Sequence, residues 1–160
     1  MKTPVSISRS VPLNCEAIVP LLRDRLEALE EASERGTVVL GTRLPANGRI
    51  TMPVRVQVTY PAPKAARFRI AIAARTSAAL YPRFRGELSL TRAGTAATIV
   101  ALTGEYSVPL GLLGRALDGT AAHGVAPRGL EDLLERLVAD VLAAVASDAD
   151  FAHRAARSAS

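Results

Sequence analysis

Residues 84–118 read FRGELSLTRAGTAATIVALTGEYSVPLGLLGRALD. Phe84, Leu88 and Leu90 alternate with Arg83, Arg85, Glu87 and Ser89, the two-residue period of a half-buried strand. Ala93-Gly94 marks a tight turn. A second strand is expected from about Thr95 to Val108, with Val100, Leu102 and Tyr106 on one face, although Ile99 and Ala101 blur the alternation. Leu110–Asp118 then reads as a short helix. A hairpin running into a helix is the nucleus from which the rest of the chain can be read.

Upstream the period is also two. Phe68, Ile70 and Ile72 alternate with Arg67, Arg69 and Ala71, and before them Val54, Val56, Val58 and Tyr60 alternate with Arg55, Gln57 and Thr59. Pro61–Ala65 joins these two strands as a loop. Asn47-Gly48 is a two-residue hairpin signal behind a β-rich run from Thr37 to Leu44. The result is a five-stranded antiparallel meander, and a short strand around Val5 and Ile7 can join it at an edge. Between that strand and the meander, Asn14 suits a helix N-cap and Glu16 the first turn. Ile18, Leu21, Leu22, Leu26 and Leu29 follow at helical spacing, with Pro20 predicting a kink or two consecutive short helices, and Gly36 a stop. Downstream, Pro127 suits a first helical position. Leu130, Leu133, Leu134, Leu137, Val138, Val141, Leu142 and Val145 then form one helical stripe. Glu131, Asp132, Glu135, Arg136 and Asp140 fall opposite, with Asp132 and Arg136 as an i,i+4 pair.

The chain of 160 residues fits one domain, expected over residues 1–147, with residues 148–160 as a flexible polar tail. At 49% hydrophobic and 22% charged it is neither disordered nor collagen-like. There is no apolar run of membrane-spanning length and no secretory h-region in MKTPVSISRS, so a cytoplasmic location is the default expectation. The net charge of +5 is unevenly spread. Residues 36–117 hold ten arginines and one lysine against Glu87 and Glu105, whereas the helical segments 16–35 and 118–150 are acidic. This pattern fits complementary solvated faces of one domain, or a basic sheet face for an anionic partner such as lipid headgroups or nucleic acid.

Dimensions bear on function. A helix of about twenty residues spans roughly 30 Å and is about 10–12 Å across. Six strands at about 4.8 Å make a sheet nearly 29 Å wide. One helix cannot cover such a face, so the sheet curls, the N-terminal helices plug the remainder, or an apolar cavity is left. With aromatics at 4% and no Trp to fill volume, a cavity is expected; a fully packed interior is the competing outcome.

The order of elements resembles the START-like superfamily, also called SRPBCC or helix-grip. VSISRSVPLNCEAIVPLL (residues 5–22) is similar to its opening of strand, Pro-containing turn and helix. Residues 84–118 are similar to its late hairpin, with a Gly-Thr turn, a strand running into Val-Pro, and a helix carrying Leu-Gly-Arg. The resemblance implies an α+β fold in which a curved antiparallel meander wraps around a long C-terminal helix, with a short N-terminal helix pair. It also implies a deep cavity between sheet and helix for lipids, sterols, quinones or polyketides; some members cyclise or dehydrate polyketides.

Catalytic signatures are sparse. Cys15 stands at a helix start, where a lone cysteine is ordinarily a small buried hydrophobe. His123 and His153 are the two histidines, and they lack metal-ligand spacing. Gly111, Gly114 and Gly119 match neither a dinucleotide nor a phosphate loop. Glu105 points away from Val100 and Tyr106 by phase, and Glu131 and Glu135 lie on a solvated helix face. Tyr60, Tyr81 and Tyr106 are the candidate polar groups within an apolar pocket. Arg55, Arg67 and Arg69 lie opposite the apolar face, where surface protection is their ordinary role.

The expectation is therefore a domain that binds a hydrophobic small molecule or lipid. Val56, Val58, Phe68, Ile70, Phe84 and Leu102 would line the pocket with Leu134, Leu137 and Val141, while Tyr60, Tyr106 and His123 orient a polar end. No cofactor, metal or nucleic acid is expected. Peripheral membrane contact and oligomeric state stay open. The alternatives are a cyclase- or dehydratase-type enzyme of the same fold, or an interaction protein using the basic sheet face.

Overall fold

A computed structural model describes residues 2–43, 49–62, 65–75, 83–107 and 119–158. In chain order these form β1 (Lys2–Val11), α1 (Cys15–Glu34), β2 (Val39–Arg43), β3 (Arg49–Thr59), β4 (Arg67–Ala74), β5 (Arg83–Arg92), β6 (Thr98–Ser107) and α2 (Gly119–Ser158). The six strands make one antiparallel sheet in the order β1-β6-β5-β4-β3-β2. The sheet curls into a half-barrel. Its two edge strands, β1 and β2, both lie against α2, and α1 packs on β3 and α2. This is the α+β helix-grip arrangement.

The inward phase of every strand supplies the core. Register aligns it in rows across the sheet. Ile7, Leu102, Leu88 and Phe68 form one, Val5, Gly104, Gly86, Ile70 and Val58 the next, and Thr3, Tyr106, Phe84, Ile72 and Val56 a third. Leu130, Leu133, Leu134, Leu137 and Val141 of α2 and Ile18, Leu22 and Leu26 of α1 close over these rows in a single apolar cluster. Burial of each such side chain contributes about 1.5–3 kcal/mol.

The middle row has no side chains at its centre. A Cβ on Gly86 would stand 2.2 Å from the Thr103 carbonyl oxygen and 2.5 Å from Cζ of Phe84, and one on Gly104 would stand 2.3 Å from the Arg85 carbonyl oxygen. The paired glycines let the β5–β6 ladder bend where the sheet curls, and the Phe84 ring reaches over the gap. The β5–β6 turn spans 93–97, with Ala93 N–H donating to the Ala97 carbonyl (3.0 Å) and Gly94 at φ +99°.

The start and stop of α1 follow the sequence signals. Asn14 caps it, its Oδ1 accepting Ala17 N–H at 2.7 Å, and Gly36 follows its C-terminus at φ +79°. The expected helix pair is instead one unbroken helix with Pro20 inside it. Proline costs one main-chain hydrogen bond there, but the buried stripe Ile18, Leu22 and Leu26 runs past it on both sides and holds one axis. A second correction concerns α2, which begins at Gly119, ahead of Pro127, and continues through residues read as a polar tail to Ser158. Arg136 Nε donates to the main-chain carbonyl of Asp132 (3.2 Å) rather than to its carboxylate. The Asn47-Gly48 signal lies outside the described residues, between the paired Arg43 and Arg49. The helix expected at Leu110–Asp118 also lies outside them, as do Tyr81, Gly111 and Gly114.

Candidate functional site

The concave face and α2 bring the apolar candidates together. Val56, Val58, Phe68, Ile70, Phe84, Leu102, Leu134, Leu137 and Val141 all belong to the central cluster and are each 9% exposed or less. They make a continuous hydrophobic surface between sheet and helix, closed to solvent in this conformation.

The two candidate tyrosines lie on the same face but far apart. By register they are two rows and three strands distant, roughly 20 Å along the sheet. Tyr60 follows the end of β3 and meets Phe68 edge-on, with ring centroids 5.9 Å apart. The Arg23 guanidinium of α1 sits 5.0 Å above the Tyr60 ring, and its Nη2 donates to the Ala62 carbonyl at 2.6 Å. The Tyr60 hydroxyl is buried and has no hydrogen-bond partner among the described residues; the same holds for Arg23 Nε. Burial raises the Tyr60 phenol to about 12, helped by the negative charges of Glu30 and Glu27 and opposed by Arg23. Burial also pushes the Tyr106 phenol well above its ordinary value. The backbone of His123 is in the first part of α2, while its side chain lies outside what is described.

Several polar groups escaped the sequence reading. Beyond the end of β2, the free edge of β3 is taken up by α1. Val54 N–H still meets the main-chain carbonyl of Val38, just before β2 (3.0 Å), and from there α1 takes over, with Val56 N–H donating to Ser33 Oγ (2.9 Å) and Val58 N–H to Glu30 Oε1 (3.0 Å). Side chains of a helix thus stand in for a missing strand. Arg75, just after β4, donates to the Ser33 and Glu34 carbonyls and supplies the cation that the last turn of α1 lacks. Arg9 occupies an inward position on β1 and pairs with Glu135 of α2 at 2.7 Å, tying sheet edge to helix. Glu105 pairs instead with Lys2 on the outer face (2.9 Å), as its phase predicts.

Clefts among the described residues open at the margins of this core. One of about 690 Å³ separates Val39, Gly41 and Thr51 from Asp132, Glu135 and Arg136. Another of about 690 Å³ lies beside Cys15, Val19, Pro20, Arg23, Ala66 and Arg92. Leu137 borders a smaller one of about 290 Å³ between α1, β2 and α2. Among the described residues, no group of three or more His, Cys, Asp or Glu is placed to hold a metal ion. Nor is any helix among them long and apolar enough to cross a membrane.

No protein-family model matches the sequence, and no curated protein matches it. Solved structures do match in shape. A conserved protein from Geobacillus kaustophilus superposes with TM-score 0.56 at 12% identity, covering 88% of this chain and 95% of the other. Ara h 8.0201 gives 0.54 at 8% identity, covering 92% and 99%. TTHA0849 from Thermus thermophilus gives 0.51 at 18% identity, covering 89% and 99%. At such identities the likeness concerns the fold. With its curled six-stranded sheet gripping the C-terminal helix, the chain has the START-like fold that its sequence resembles.

Proposed function

We propose that the protein binds a hydrophobic small molecule or lipid between the concave sheet face and α2. The observation that carries this reading is the combination of an apolar interior with the buried hydroxyl of Tyr60, which has no hydrogen-bond partner among the described residues. Buried hydroxyls are ordinarily satisfied, and the polar end of a guest reaching between α1 and the end of β3 would supply the missing partner. The apolar body of the guest would lie along the rows that include Phe68, Ile70, Phe84 and Leu102. Phe84, whose ring fills the glycine gap, would swing aside to admit it. Because these rows are closed in this conformation, entry requires the sheet and α2 to part.

Native mass spectrometry of the purified protein, followed by organic extraction, tests the proposal. The expected result is a discrete adduct of lipid-like mass that is lost on denaturation. Protein that carries no adduct, and that neither shifts in melting temperature nor enhances the fluorescence of a long-chain probe, would overturn it.

A further inference from the structure

The outer face of the sheet has a construction of its own. Register sets Arg55 of β3 and Arg83 of β5 on either side of Ala73, roughly 10 Å apart. Arg85 stands opposite Ala71, and Arg69 precedes Ala71 by two residues on the same face. Four arginines thus rim a shallow floor of two alanines. Arg67 and Lys2 extend the positive field along the face, against Glu87 and Glu105. Those two carboxylates are engaged by Arg67 (3.8 Å) and Lys2 (2.9 Å). Among the described residues Arg69 and Arg85 have no carboxylate at ion-pair distance, although each faces one across the ladder. Arg55 reaches Glu34 only at 3.7 Å, with both side chains exposed.

The opposite side of the molecule is acidic, with Asp24, Glu27 and Glu31 of α1 and Asp132, Glu135 and Asp140 of α2 exposed. The protein is therefore polarised, and a broad negative surface would orient it with the sheet inward. The described aromatic rings Tyr60, Phe68, Phe84 and Tyr106 belong to the inward phase, so the basic face has no described ring on which nucleobases can stack. No described helix stands on it to enter a groove, since α1 and α2 pack elsewhere. We propose that the outer face of β3, β4 and β5 docks the protein on an anionic phospholipid bilayer, with Arg69 and Arg85 as the principal headgroup contacts.

Cosedimentation with vesicles tests this. The wild-type protein is expected to bind mixed phosphatidylcholine–phosphatidylglycerol vesicles, not pure phosphatidylcholine, and to release as salt rises from about 0.05 M to about 0.5 M. The double variant R69Q/R85Q should lose on the order of tenfold or more in partitioning. The double variant R25Q/R35Q, which removes the same charge from α1 and its C-cap, should partition like wild type. Glu87→Gln should strengthen binding. Equal loss in both double variants would reduce the effect to net charge and overturn the proposal. So would equal binding to neutral vesicles, no binding at low salt, or displacement from vesicles by duplex or single-stranded oligonucleotide at matched charge. Partitioning reports on the sheet's outer face and adduct mass on its interior, so either reading can fail without the other.

Discussion

Ser33 Oγ, near the end of α1, accepts the main-chain N–H of Val56 at 2.9 Å while its own proton is shared between the carbonyls of Glu30 (2.7 Å) and Val56 (3.2 Å). One hydroxyl therefore completes a strand edge and fixes the helix against the sheet. Both groups are buried, so neither is replaced by water when the other is lost.

Ser33→Ala should therefore lower unfolding free energy by about 1–3 kcal/mol, read as a shift in urea midpoint at unchanged slope. Ser33→Thr should recover part of it. A midpoint within error of wild type for the alanine variant would show that the β3 edge is satisfied some other way.

The glycines divide into two kinds. Gly86→Ala and Gly104→Ala each drive a methyl into main-chain atoms and should cost at least about 2–3 kcal/mol. Gly94→Ala meets nothing within 4 Å and is disfavoured only by φ +99°, for about 1–2 kcal/mol. Thermal melts of the three variants should rank accordingly, with Gly94→Ala the mildest.

Much of this architecture was legible in the sequence. The two-residue period placed Val54, Val56, Val58, Phe68, Ile70, Phe84, Leu88 and Leu102 inward, and Asn14 and Gly36 marked the bounds of α1. What escaped depends on register or on distant partners. Ser33 is an unremarked helical serine until Val56 is laid beside it. Gly86 and Gly104 stand at equal distances from Thr95, so a hairpin centred there would have paired them on the inward face; that signal was present and unread. Arg9 interrupts the apolar phase of Val5, Ile7 and Val11, a visible irregularity that only Glu135 explains. The apolar site residues were readable as core, because phase determines burial. Which of them would touch a guest depends on how the sheet and α2 part, and no local pattern encodes that.

The Tyr60 phenol has a pH signature. With its folded value at about 12 against an ordinary 10, the folded state holds this proton more tightly than the unfolded chain. The stabilisation is complete below pH 10 and is lost as pH rises through the interval to about 12. Difference titration at 295 nm between wild type and Tyr60→Phe should place the missing phenolate near pH 12, and the variant should show a shallower fall in stability above pH 10. A missing component at the ordinary value would show that the hydroxyl is solvated.

The same substitution separates stability from binding. Tyr60→Phe removes a hydroxyl that has no described protein partner, so it should be neutral or slightly stabilising at pH 7. If a guest supplies the hydrogen bond, affinity should fall by roughly tenfold, the loss of about one hydrogen bond. Probe titration with both proteins checks it; equal affinities would place the guest's polar end elsewhere.

Leu134, fully buried on α2, carries the grip itself. Leu134→Ala should cost about 2–5 kcal/mol, measured by chemical denaturation. A cost under about 1 kcal/mol, the size expected at a surface position, would mean that α2 holds the sheet more loosely than the packing indicates.

The strand order carries a consequence for biosynthesis. Of the six described strands β1 is made first, yet its described neighbour in the sheet is β6, the last of the six to be made, with Lys2 opposite Ser107 and Val11 opposite Thr98. Until Ser107 has emerged, the greasy side of β1 lacks the described ladder that it joins. Such distant pairing slows folding, and a nascent chain halted before Thr98 would leave Val5, Ile7 and Val11 unsheltered, a natural target for chaperones.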